Sequence, residues 1–149
     1  MPPFFKLPST LRVRPDGTWQ TDDLAVAHAA TLRYLKSHLV FEDAGAFVTD
    51  RGQRLPVTVE GPAFEVVRLE IDAGRGAARA VLDDGSVEPI VDDTLSMNEE
   101  TGRFEALVRQ GHARAVFTRA AHQGLLEHAE QEGGRFFLRV GSIRLAIRT

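Results

Sequence analysis

No cysteine occurs in the 149 residues, which removes disulfides, thiolate metal sites and cysteine nucleophiles together. Positive charge is not in excess either: 18 Lys and Arg stand against 21 Asp and Glu, for a net charge of −3. The general attraction to nucleic acid or to an anionic membrane is therefore missing. No apolar run approaches the roughly 20 residues that a membrane helix needs. Gly-x-Ser-x-Gly, the P-loop and Gly-x-Gly-x-x-Gly are all absent, so the familiar nucleophile and phosphate signatures are lacking. The five histidines, at positions 28, 38, 112, 122 and 128, contain no His-Glu-x-x-His and no pair four residues apart. Neither a metal site nor a cofactor is expected from them. The start, "MPPFFKLPST", is broken by prolines and too short in apolar core for a signal peptide. A cytoplasmic protein with a loosely ordered N-terminal arm is the expectation.

What is present is the composition of a globular protein, 43% apolar and 26% charged, at a length that suits one domain or two small ones. "LRVRPDGTWQ" reads as a short strand, a Pro-Asp-Gly turn in which Gly17 can take positive φ, and an aromatic, Trp19. "TDDLAVAHAATLRYLKSHL" reads as a helix with Thr21 or Asp22 as N-cap and Asp22 and Asp23 in its first turn. Its apolar stripe is Leu24, His28, Leu32, Leu35 and Leu39. "AFVTD" and "RLPVTVEG" follow as strands. A second unit follows the same plan: a strand from "LSMNEETGRFEALV", a turn at Gly102 followed by Phe104, and a helix in "ARAVFTRAAHQGLLEHAEQE". "GRFFLRV" and "IRLAIR" close it. Between the two, "FEVVRLEIDAGRGAARAVLDDGSVEPI" reads as antiparallel hairpins. The fold expected is α+β: two repeated β-turn-α-β-β units with an antiparallel hairpin region between them, divided into residues 1–93 and 94–149.

"VRPDGTW" together with "FVTDRGQRLPVTVEGPAF" resembles the first half of the bacterial domain-of-unknown-function family 1285. "NEETGRFEALVRQGHARAVFTRAAHQGLLEHAEQEGG" is similar to its second half, so the resemblance spans nearly the whole chain. Asp16-Gly17-Thr18-Trp19 and Val59 to Phe64 are its most specific parts. The resemblance implies an α+β fold of repeated motifs, no established biochemical activity, and a role in signal transduction.

One stretch is unusual in its chemistry. From Ala106 to Leu126 there is no carboxylate, yet Arg109, His112, Arg114, Arg119 and His122 crowd together. A helix from Ala113 to Glu130 puts Phe117, Ala121, Leu125 and His128 on one face and Arg119 nearly opposite. Its arginines do not converge. An anion seat would therefore need Arg109 and His112, in the loop before the helix, to fold towards Arg114 at the helix N-terminus, where backbone N–H groups are unsatisfied. Trp19 is the added candidate, as a stacking platform for a ligand. The competing reading is a solvated helix face.

His28 and His128, set in apolar stripes, read as buried core histidines, and His38 as a cation at a helix C-terminus. Glu60 and Glu65, which bracket the Gly-Pro break, are the better placed carboxylates. Three functions follow in order of preference. The first is a binding or regulatory module for a small anionic ligand or a protein partner. The second is an enzyme with His112 or His122 as base in a cleft between the units. The third is an assembly subunit that forms a homo-oligomer through exposed strand edges.

Overall fold

The computed structural model describes residues 10–22 and 24–149. Asp23 and all but the last residue of the N-terminal arm lie outside the described residues. The chain forms two compact units, Met1–Phe64 and Glu65–Thr149. The hairpin region that follows Phe64 thus shares its sheet with the second half of the chain rather than the first.

The first unit runs β1 (Leu11–Val13), β2 (Trp19–Thr21), β3 (Leu24–Ala25), α1 (Ala29–Ser37), β4 (Leu39–Glu42), β5 (Gly45–Asp50) and β6 (Gln53–Val59). Its six strands form one sheet in the order β3-β2-β1-β6-β5-β4. All neighbours are antiparallel except β1 and β6, which run parallel with Leu11 opposite Val57 and Val13 opposite Val59.

The second unit continues with β7 (Phe64–Asp72), β8 (Ala77–Leu82), β9 (Val87–Pro89), β10 (Leu95–Met97), β11 (Phe104–Val108) and β12 (Ala113–Phe117). Then come α2 (Arg119–Leu126), β13 (Ala129–Glu132), β14 (Arg135–Val140) and β15 (Ile143–Arg148). These strands make a nine-stranded sheet in the order β13-β14-β15-β10-β11-β12-β7-β8-β9, with β10 parallel to β15.

Strand accounts for 52% of the described residues and helix for 12%, far from the roughly one-third helix of a mixed globular protein. The expected α+β class with β-turn-α-β-β units is therefore corrected to a mostly β protein with two mixed sheets. Three strands, β1 to β3, precede α1, and three, β10 to β12, lie between the central hairpins and α2, where one was expected in each case. The reason lies in the side-chain period. Phe104, Ala106 and Val108 on β11 and Ala113, Ala115 and Phe117 on β12 are buried, while Leu107 and Arg114 between them are exposed. That is the alternation of a strand. The helix begins only after Thr118, whose side chain accepts a hydrogen bond from the Ala121 N–H at 3.3 Å, as an N-cap does.

The first helix is shortened in the same way. Leu24, expected on its buried stripe, is 71% exposed in β3. The cap is His28, whose Nδ1 accepts from the Thr31 N–H; the side chain is exposed rather than buried in a core. His128 is likewise exposed, just beyond α2. His38 does close α1, its ring 4.0 Å from that of Tyr34.

The motifs that carry the family resemblance pack on each other in the first unit. Gly17 takes φ +89° in the turn between β1 and β2, which delivers Trp19 to a fully buried position. There its indole N–H donates to the Ala63 carbonyl at 3.0 Å. The Glu60 N–H donates to the Val13 carbonyl at 2.8 Å. Gly61 lies so close to this turn that a Cβ on it would sit 2.6 Å from the Pro15 carbonyl oxygen and closer still to that of Arg14. The two motifs are one structural lock.

Candidate functional site

The residues singled out in the acid-free stretch do not gather at a helix N-terminus, because the segment that follows them is a strand. Arg109 and His112 occupy the β11–β12 hairpin turn, where Arg109 and Gln110 both take positive φ and the His112 N–H donates to the Arg109 carbonyl. Such a turn sends the Arg109 guanidinium towards the β8–β9 connection. It donates to Asp84 Oδ2 at 2.6 Å, to the Ser86 hydroxyl at 3.2 Å and to Glu88, whose other oxygen accepts the Arg109 N–H at 2.8 Å. Asp84 is almost wholly buried. Burial is the largest influence on it and raises its pKa. The hydrogen bonds from Ser86 and the Arg109 charge together outweigh that, and hold the carboxyl below its ordinary range. Arg109 thus clamps two turns together.

Arg114 points from β12 to the other side of the hairpin's buried row and is held by Glu105 in a bidentate pair, at 2.7 and 3.0 Å. That hydrogen bonding keeps its pKa above the ordinary arginine value. Arg119 is exposed on α2, and the His122 ring lies 4.7 Å from that of Phe104. Trp19 belongs to the first unit, where its ring is 1% exposed. Glu60 is paired with Arg12, and Asp83 and Glu65 exchange hydrogen bonds involving their backbones. No group of three or more His, Asp or Glu among the described residues is placed to hold a metal ion. None of the helices described is long and apolar enough to cross a membrane.

Two open clefts lined by described residues lie instead on the outer face of the second sheet. On that face the register places Phe137 opposite Ala146, Ser96 opposite Arg148 and Glu105 beside Ser96. A cleft of about 220 Å³ is bordered by Thr94, Ser96, Glu105, Leu107, Arg114 and Arg148. A second, of about 360 Å³, is bordered by Gly134, Arg135, Phe137, Ala146, Arg148 and Thr149. Arg148 borders both.

The charges on this face fall into two kinds. Arg114 is committed to Glu105, Arg139 is bidentate with Glu130, and Arg144 pairs with Glu132 while stacking 4.2 Å above the Phe137 ring. Arg148, in contrast, is 64% exposed and lies 3.3 Å from an equally exposed Asp93, a pairing worth little in water. Arg135 is exposed, and its guanidinium has no hydrogen bond or ion pair among the described residues. No Asp or Glu side chain lines the larger cleft. Two guanidinium groups therefore sit side by side at one end of an apolar floor, a geometry fit to receive an oxyanion.

These residues lie outside the acid-free stretch, and their sequence signal is a period of two. In "RFFLRV" and "IRLAIR", Arg135, Phe137 and Arg139 and then Arg144, Ala146 and Arg148 fall at every second position. Once the turn at Gly141-Ser142 fixes the hairpin, period two puts all six on one face.

The fold and its clefts define a two-unit, mostly β protein with an arginine-flanked sheet surface. Two solved structures share that fold. A DUF1285 family protein from Silicibacter pomeroyi DSS-3 matches at a TM-score of 0.71 and 20% identity, over 95% of this chain and 81% of that one. A DUF1285 family protein from Shewanella baltica OS155 matches at a TM-score of 0.58 and 16% identity, over 81% of this chain and 92% of that one. No protein-family model matches the chain, and no curated protein does. The resemblance read from the sequence holds at the level of the fold: this chain has the fold of the DUF1285 proteins.

Proposed function

We propose that this chain is a binding module that holds a small oxyanion on the outer face of its second sheet, with Arg135 and Arg148 as the cations. One observation carries the reading. Arg135 is uncommitted and Arg148 loosely paired at a single open cleft, while the other arginines of β12, β14 and β15 are tied to carboxylates. Arg114, at the adjoining cleft, is the member of the sequence-derived set that stays close to this reading. A regulatory role, such as sensing a metabolite or a phosphorylated group for a signalling partner, would use the module without chemistry on its ligand.

Titration of the protein with inorganic phosphate, followed by backbone amide NMR shifts, tests the site. Exposed guanidinium groups favour weak binding, on the order of millimolar. The shifts should map to β14 and β15 and vanish in Arg135→Ala/Arg148→Ala, a variant whose exposed positions leave the fold undisturbed. Shifts that persist in that variant, or none in the wild type, would sink the reading.

A further inference from the structure

We infer that the ligand of this cleft is not a bare oxyanion but an aromatic one: a flat ring carrying a phosphate or carboxylate, with the ring laid on Phe137 and Ala146 and the anion between Arg135 and Arg148. The inference rests on the oxyanion reading above and adds the body of the ligand to it.

Size is the first argument. At about 360 Å³ the cleft falls within the roughly 300–1,000 Å³ of small-molecule sites, whereas its neighbour, at about 220 Å³, does not. An inorganic anion between the guanidinium groups leaves most of that space unfilled.

Shape and chemistry are the second. Arg135 and Arg148 lie two residues along their strands from Phe137 and Ala146, so all four side chains leave the sheet on the same face. Phe137 and Ala146 are paired directly across β14 and β15. The large ring beside the small methyl leaves a shallow, apolar depression rather than a ridge. The Arg144 guanidinium covers one face of the Phe137 ring, held there by Glu132, and does not border the cleft. A ligand ring therefore meets the side of Phe137 turned away from Arg144, beside Ala146. A flat apolar group fits such a floor, and guanidinium groups at its end also stack on aromatic rings. A flexible polar chain would gain from neither.

The test compares phenyl phosphate with inorganic phosphate on the intact protein by the same NMR titration. Burying one face of a ring favours phenyl phosphate by about tenfold. In Phe137→Ala the ratio of the two affinities should fall close to one. Ala146→Phe is the second variant: an aromatic is well accepted on a strand, and it fills the depression, so the ratio should again collapse. If Phe137→Ala does not fold, Ala146→Phe decides alone. Equal binding of the two probes to the wild type overturns the aromatic inference and leaves the oxyanion reading standing. A ratio that survives Ala146→Phe overturns it too. Failure of both probes to bind overturns both.

Discussion

Arg109 shows how one side chain can draw attention for the wrong chemistry. A cation in an acid-free stretch suggests a waiting anion, but its anions are supplied from elsewhere in the chain, by Asp84 and Glu88. Because the Asp84 side chain is almost fully withdrawn from water, removing its charge leaves Arg109 short of a partner at a site poor in solvent. Asp84→Asn is expected to cost about 2–3 kcal/mol, measured by urea unfolding at neutral pH. The sign of its pH dependence follows from the shift. Asp84 has a folded pKa below its unfolded value, so its contribution is fully present above the unfolded pKa of about 3.9 and is lost as pH falls through the folded pKa. The gap between wild type and Asp84→Asn should therefore close in acid and stay constant from mildly acidic to neutral pH. A gap that widens in acid would contradict the assignment. Gly61 makes the complementary case for backbone. Any Cβ there meets the Pro15 and Arg14 carbonyls, so Gly61→Ala should destabilise by at least about 2 kcal/mol through forced backbone movement. Trp19 is the sole tryptophan and its indole is bonded to Ala63, two residues beyond Gly61. A red-shifted emission in Gly61→Ala under native conditions would report the opening of that lock, and unchanged emission and stability would refute it.

Among the elements, the strands were more legible than the helices. Alternation in "LRV", "FVTD", "RFFLRV" and "IRLAIR" marks strands that the structure contains, because a half-buried sheet enforces period two residue by residue. The helices were overextended because alanine, leucine and histidine satisfy a spacing of three or four almost wherever they are dense. In "ARAVFTRAAHQGLLEHAEQE" both periods fit the first five residues, and the sheet won: Val116 and Phe117 are stiff or bulky side chains that favour a pleated surface. The deciding local signal was Thr118. A Thr three residues before Ala121, with φ −67° and ψ 168°, stops the strand and starts the helix in one residue. Thr118→Ala should therefore cost about 1 kcal/mol and Thr118→Ser much less, read as a shift of the urea midpoint with unchanged slope. Equal losses in the two variants would show that the methyl group, not the hydroxyl cap, matters. The candidate site was illegible for a different reason. Its four side chains come from two strands, and only the hairpin register brings them to one face.

At the scale of the whole molecule, charge sets the reach of any anion site. The net charge of −3 repels anions at long range, while Arg135 and Arg148 attract them within a few ångströms. Salt screens the two opposing effects together. Phosphate binding should consequently change by less than about threefold between roughly 50 mM and 200 mM salt. The contrast is with a protein that neutralises many phosphates of a nucleic acid, which loses about 10³–10⁵ in affinity over that range through counterion release. The comparison can be made with one titration series in the wild-type protein. A nearly flat dependence fits a small oxyanion gripped by two side chains on an otherwise acidic body. A fall of tenfold or more would mean that the positive field extends well beyond the cleft. Arg114, Arg139 and Arg144 would then be contributing charge that their carboxylate partners do not cancel, and the ligand would have to be a larger polyanion lying across the whole outer face of the sheet.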